Sequence, residues 1–227
     1  MEIKENTITT TIVNSDDNLH NYEISRIMSG DGVSAKCEAA LITICPSTSA
    51  KGDFKIDSTT SHLLGHLSEL GICKLSVFNL FSKITDSRMS SRNLMVDEEN
   101  MNYIESRFKD KKFATTKLIL AWGSSLEHSD AAQLSKKRII QMYMKYHPNK
   151  PMYELTAEGM SDTLHCIHPL YLGVNTSHAK WSLTEYQPPK DLMEYESKKK
   201  VSSADKKAIS KKATANVTTL DSVKGKK

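Results

Sequence analysis

The sequence predicts an α/β fold, a three-layer α/β/α sandwich built on a four-stranded parallel sheet. Two observations carry this prediction. Four short apolar β-type runs follow one another along the chain, each closed by turn-forming or polar residues. Segments with helical spacing separate them, and strand alternating with helix is the pattern of a parallel sheet covered on both faces. With 227 residues, the chain is long enough for one domain of ordinary size plus an appendage.

Residues 1–35 are polar with β-leaning pieces such as 7–13, and predict a short hairpin or an irregular lead-in. The first strand is expected over 40–45. It stops at Pro46, Ser47 and Thr48, and a short apolar run closed by turn residues marks a buried strand. A loop leads to Asp57, a good N-cap for a helix with Leu63, Leu64, Leu67 and Leu70 at helical spacing and Gly71 as its stop. The second strand covers 74–81, with Asn79 near its end. A polar loop over 82–95 precedes a helix over 97–110. The third strand, 117–122, closes at Gly123, Ser124 and Ser125. A helix over 130–146, marked by Leu134, Ile139, Met142 and Tyr146, stops before Pro148. The fourth strand is 152–156, and a loop carrying Gly159 leads to His168, Pro169 and Leu170. With right-handed crossovers the first of the four strands is expected to be central.

Beyond Pro189 the composition changes. Residues 190–227 hold eleven lysines against five acids, a net of +6, with Tyr195 as the one aromatic. Residues 1–189 hold 20 basic and 22 acidic side chains, so the body is nearly neutral. Low hydrophobicity with high charge does not offset the entropy of ordering a chain, so a disordered tail is expected over 190–227. It serves either as a solubilising extension or as an arm that meets nucleic-acid phosphates. The cysteines, Cys37, Cys45, Cys73 and Cys166, form no C-x-x-C pair and suit thiols in a reducing compartment. Residues 1–10 hold no apolar signal core, and no run has the length of a membrane span. The expectation is a cytoplasmic monomer without membrane contact. His165, Cys166 and His168 are too tightly spaced for a standard structural zinc site, so no metal and no cofactor is expected.

In open parallel sheets, ligands bind outside the carboxyl ends of the strands. The polar and glycine punctuation falls at those ends. Cys45, Pro46, Ser47 and Thr48 follow the first strand, Asn79 and Phe81 end the second, Gly123 and Ser124 follow the third, and His168 follows the fourth. Four loops from distant parts of the sequence thus predict one shared rim.

The order Pro46-Ser47, Asn79-Leu80-Phe81, Trp122-Gly123-Ser124 and His168-Pro169-Leu170-Tyr171 resembles a bacterial and phage family of unknown function, over about residues 40–172. More remotely it resembles the uracil-DNA glycosylase superfamily. That resemblance implies a uracil-DNA glycosylase-like domain over 36–189, following the lead-in of 1–35. It implies that Asn79 reads the edge of a flipped base, offering both a donor and an acceptor. Phe81 or Phe54 would stack on the base. His168 would stabilise negative charge on the departing base. Ser47 and Thr48, with the backbone of their loop, would hold water or phosphate. Cys45 departs from the pattern, because the superfamily often places Asp or Asn before the proline and the family usually has Asn. Either Asp57 or Asp53 supplies the carboxylate, or hydrolysis is slow, or the protein only binds.

Plainer roles stand beside these. Asp57 fits a helix cap, Asn79 a strand-end hydrogen-bonding group, Trp122 a packing residue and Cys45 a strand-end hydrophobe. Cys45 as a nucleophile with His168 as its base is a further enzyme reading. The leading expectation is a DNA glycosylase-like hydrolase that flips and excises a pyrimidine or modified base, with defence against phage DNA as one setting. The alternatives are a non-catalytic nucleic-acid-binding module with the same pocket, or an enzyme on free nucleosides or nucleotides. The neutral body leans towards the last of these, since duplex binders usually show a basic face.

Overall fold

The computed structural model describes residues 3–31, 33, 37–46, 56–85, 89–91 and 93–196. Its strands are β1 (Asn6–Asn14), β2 (Asn21–Gly30), β3 (Cys37–Thr43), β4 (Ile72–Asn79), β5 (Lys117–Leu120), β6 (Met152–Ala157) and β7 (Trp181–Tyr186). Its helices are α1 (Ser58–His66), α2 (Glu98–Lys109), α3 (Asp130–Tyr146), α4 (Pro169–Asn175) and the single turn α5 (Lys190–Met193). The strands form one sheet in the order β1-β2-β4-β3-β5-β6-β7.

The four apolar runs are β3, β4, β5 and β6. β3 pairs in parallel with both β4 and β5, and β5 pairs in parallel with β6, so the first of the four is central as expected. The expected sheet of four strands is corrected to seven. β2 pairs antiparallel with β4 and with β1, and β7 pairs antiparallel with β6. The physical reason is that the added strands lack the apolar signature of a doubly covered strand. β1 is an edge strand with its first six residues exposed, and β7 alternates between buried ends and exposed middles. β2 buries charged residues, Glu23 and Arg26, so it reads as polar. Tyr103 donates its hydroxyl to Glu23 at 2.8 Å, and Arg107 Nε lies 3.0 Å from the same carboxylate, which ties β2 to α2. Most of the expected lead-in is therefore an integral hairpin of the sheet.

Side chains alternate across the sheet, and the alternation builds two apolar layers. Ala39, Leu41, Leu75 and Ile119 face one side, where they meet Leu63 of α1 and Leu67 at its C-terminal cap, Leu172 of α4 and Trp181 of β7. Ile42, Phe78 and Leu118 face the other side, where they meet Met101, Ile104 and Phe108 of α2 and Ile139 and Tyr143 of α3. Burying each large apolar side chain contributes about 1.5–3 kcal/mol. The helix starts are capped by side chains: Asp57 accepts from Thr60 N, Asp97 from Asn100 N, and Ser129 from Ala132 N. α1 and α4 approach closely at Gly173, where a Cβ would lie 2.0 Å from the His62 ring. That packing sets α4, headed by His168, against α1, headed by Asp57.

The folded body runs past Pro189. α5 buries Leu192, the Tyr195 hydroxyl meets the Asp130 carboxylate, and Lys137 Nζ donates to the Tyr195 carbonyl at 3.0 Å. Residues 190–195 thus dock on α3, which corrects the expected start of the tail. The expected disorder further along concerns 197–227, which lie outside the described residues. Among the described residues no helix is long and apolar enough to cross a membrane.

Candidate functional site

The carboxyl ends of β3 and β4 open into a cavity of about 250 Å³ beside the first turn of α1. Arg26, Thr43, Cys45, Asp57, Asn79 and His168 supply its polar wall, with Ile24, Val77 and Leu63 as apolar floor. Strand alternation explains the company. Leu41 and Leu75 face α1, so Thr43 and Asn79 on the same strands face it too, and the two are paired in register. On β2, Ile24 pairs with Val77 and Arg26 with Leu75, which turns both to the same side.

Asn79 is held at both ends. The Thr43 hydroxyl donates to its Oδ1 at 2.6 Å, and Asn100 Nδ2 donates to its backbone carbonyl at 2.8 Å. Its Nδ2 has no hydrogen-bond partner among the described residues. The side chain therefore faces a ligand chiefly as a donor, where the sequence suggested donor and acceptor alike.

His168 heads α4, and its Nδ1 accepts from Leu170 N at 3.3 Å. In a neutral ring the proton then sits on Nε2. Burial pulls the imidazole pKa below its ordinary 6.5, opposed in part by the Asp57 charge. At neutral pH the ring is uncharged, with Nε2–H as its donor.

Asp57 acts as a cap: its two oxygens accept from Thr60 N at 2.8 Å and from Thr60 Oγ1 at 3.0 Å. It also stands in the cavity wall, so capping and a role at the site share one residue. Cys45 is half-buried, and burial pushes its thiol pKa up. A protonated thiol lacks the thiolate that the nucleophile reading requires. Pro46 lines the same wall.

Gly123 reaches the site through His168. Its φ is +62°, its N–H donates to Cys166 O at 2.7 Å, and a Cβ there would lie 3.2 Å from His168 Cβ. The end of β5 is thus a buttress for the histidine. Ser124 is exposed and lines a neighbouring hollow with His165 and Tyr171, away from Asn79. Phe81 is corrected. The chain leaves β4 at Asn79 and carries the ring into the α2–α3 layer, where it is 3 % exposed and borders a different hollow with Met89 and Leu94. It does not face the cavity. Ser47, Thr48, Asp53 and Phe54 lie outside the described residues.

Sequence reasoning missed Arg26. It is 7 % exposed, lines the cavity, and makes no hydrogen bond or ion pair with any described residue. The signal was the alternation of Ile24 and Arg26, which is legible only once β2 is known to be internal; Tyr22, at the irregular end of the strand, turns instead to Tyr103 of α2. His165 and Cys166 are spent elsewhere: Glu154 meets His165 Nδ1 at 3.0 Å and accepts from Cys166 N at 2.6 Å. Among the described residues no three His, Cys, Asp or Glu side chains converge to hold a metal ion.

Comparison with known proteins places this arrangement in a family. No curated protein and no solved structure matches the chain at a level that marks relationship. One family model matches residues 22–170, a span that takes in all of β2 but its first residue and every described cavity-lining residue from Ile24 to His168. The chain belongs to the family described as Protein of unknown function (DUF1643).

Proposed function

We propose that the protein is a base-recognising hydrolase of the DNA glycosylase kind, which takes a flipped pyrimidine or modified base into this cavity and excises it from DNA. The observation that carries the reading is the convergence of two oriented neutral donors, Asn79 Nδ2 and His168 Nε2–H, on one small cavity. Cleaving an N-glycosidic bond leaves negative charge on the base. Donors fixed in advance stabilise that charge in the transition state more than they stabilise the bound ground state. A cavity of about 250 Å³ suits a single extruded base. Asp57, in the same wall, is the carboxylate that would orient the attacking water. Four parallel strands with β3 central, and polar loops at their carboxyl ends, support the uracil-DNA glycosylase-like arrangement that the motif order resembles. Phage DNA with altered bases is a setting that suits this activity.

Cys45 favours a second reading. A thiol kept protonated by burial does not activate water, so the same pocket would serve a non-catalytic base-binding module. The test is incubation of the full chain with DNAs carrying uracil, hydroxymethylated or glucosylated pyrimidines, followed by alkali cleavage at abasic sites. Base release that falls about a hundredfold in His168→Ala, with DNA affinity retained, supports excision. Binding without release from any of these DNAs assigns the binding module, and neither binding nor release refutes both.

A further inference from the structure

Arg26 and Glu23 lie three residues apart on β2, and both are buried, yet only one is satisfied. Glu23 meets Tyr103 and Arg107. Arg26 has no hydrogen bond or ion pair with a described residue, although its guanidinium carries five N–H donors and no acceptor. Burial disfavours its charge and the Asp57 charge favours it, but no ion pair forms between the two, and Asp57 gives its oxygens to Thr60. A guanidinium stays charged in proteins. Its nitrogens are not sealed in protein but open on the cavity, so the charge is available to a ligand there. Arg26 is also the one Lys or Arg among the described residues that line the cavity.

Its place in the sheet says what could complete it. β2 lies on the outer side of β4, whereas His168 follows β6, beyond β3 and β5. Arg26 and His168 therefore enter the cavity from opposite sides of the central strand, with Asn79 on β4 between them. A ligand that meets Asn79 with its ring has one end at the histidine and the other at the guanidinium. The planar fork of an arginine matches two oxygens of a carboxylate or phosphate.

We propose that the cavity takes a ligand bearing an oxyanion group, which seats bidentate on Arg26 while the ring of the ligand meets Asn79 and His168. This rests on the cavity being the ligand site, as in the function proposed above, and not on excision taking place. The oxyanion has two possible sources, a carboxylate on a modified base or the phosphate of a nucleotide.

The experiment measures binding to the full chain by calorimetry and thermal shift. The probes are inorganic phosphate, pyrimidine nucleoside 5′-monophosphates, pyrimidine nucleosides carrying a ring carboxylate, and the matching neutral nucleosides. At least one oxyanion-bearing probe should bind about tenfold or more tighter than its neutral counterpart. Arg26→Met should abolish the difference, and Arg26→Lys should keep part of it. Preference for the monophosphates assigns a nucleotide phosphate, and preference for the carboxylated nucleosides assigns a modified base. Arg26→Met removes a charge that no described residue pairs with, so without ligand it should melt close to the wild type. Equal binding of anionic and neutral probes overturns the proposal, as does an Arg26→Met chain that still discriminates or that melts far below the wild type. Base release that persists in Arg26→Met, with no oxyanion preference, overturns this proposal and spares the glycosylase reading. Arg26-dependent oxyanion binding without base release from any DNA does the reverse.

Discussion

Replacing Gly123 with alanine tests whether the end of β5 positions His168. Two effects act there. The φ of +62° lies in the left-handed region, which costs a non-glycine residue about 1–2 kcal/mol. The new Cβ would also sit 3.2 Å from His168 Cβ, tighter than ordinary van der Waals contact, so the histidine must give way. Overpacking of this kind adds about 1–3 kcal/mol. Gly71 separates the two effects. Its φ is +69°, but a Cβ there meets nothing within 4 Å, so Gly71→Ala carries the backbone cost alone. For a chain of this size, each kcal/mol lowers Tm by about 2–4 °C. Gly71→Ala should therefore lose about 2–8 °C, and Gly123→Ala should lose clearly more. The assay is parallel thermal and urea unfolding of both variants, with base release or nucleoside binding measured on each. Only Gly123→Ala should impair the site, because only it pushes on His168. Equal Tm losses with an unimpaired site would refute the buttress.

Three further outcomes are expected. Asp57→Ala should cost about 1 kcal/mol in urea unfolding through loss of the α1 cap, whereas Asp57→Asn keeps an accepting oxygen and should cost less. If Asp57→Asn keeps its stability but loses base release, the carboxylate has a chemical role beyond the cap. Burial lowers the pKa of both His168 and His147 below 6.5, so the unfolded chain binds more protons between the lowered values and 6.5. Stability from these groups is full above 6.5 and falls as pH drops through that window. Melting curves between about pH 7.5 and 5 should show this loss, smaller in His168→Gln, and a variant profile identical to wild type would remove His168 from the account. Gly65 is exposed in α1 with nothing within 4 Å of a Cβ, so Gly65→Ala should raise stability by about 0.5–1 kcal/mol, read from the urea midpoint.

Much of the site was legible because it sits where strand ends meet glycine, proline and capping residues. Asp57 and His168 are helix caps, and Asn79 closes a strand; each position carries a local signal within a few residues. The placement of α2 and α3 was legible for a related reason, since Asp97 and Ser129 cap segments with strong helical spacing. Phe81 shows where local reading fails. Its motif neighbour Asn79 faces the cavity, but the strand ends between them, and the ring goes to the other layer. No pattern within the motif records that turn.

By itself the sequence determined the four parallel strands, the helices that cover them, and the rim on which Asn79 and His168 meet. Those follow from periods of 2 and 3.6 residues and from capping chemistry, which are local. Only the tertiary structure decided that β1, β2 and β7 complete the sheet, because the pairings that attach them, β2 to β4 and β7 to β6, join residues far apart in the chain and leave little apolar trace. The same pairing turned Arg26 inward. A charged residue in a polar strand reads as surface until the strand is placed beside β4, where alternation and register aim it into the cavity. A distant strand pairing thus supplies the positive charge in the cavity wall.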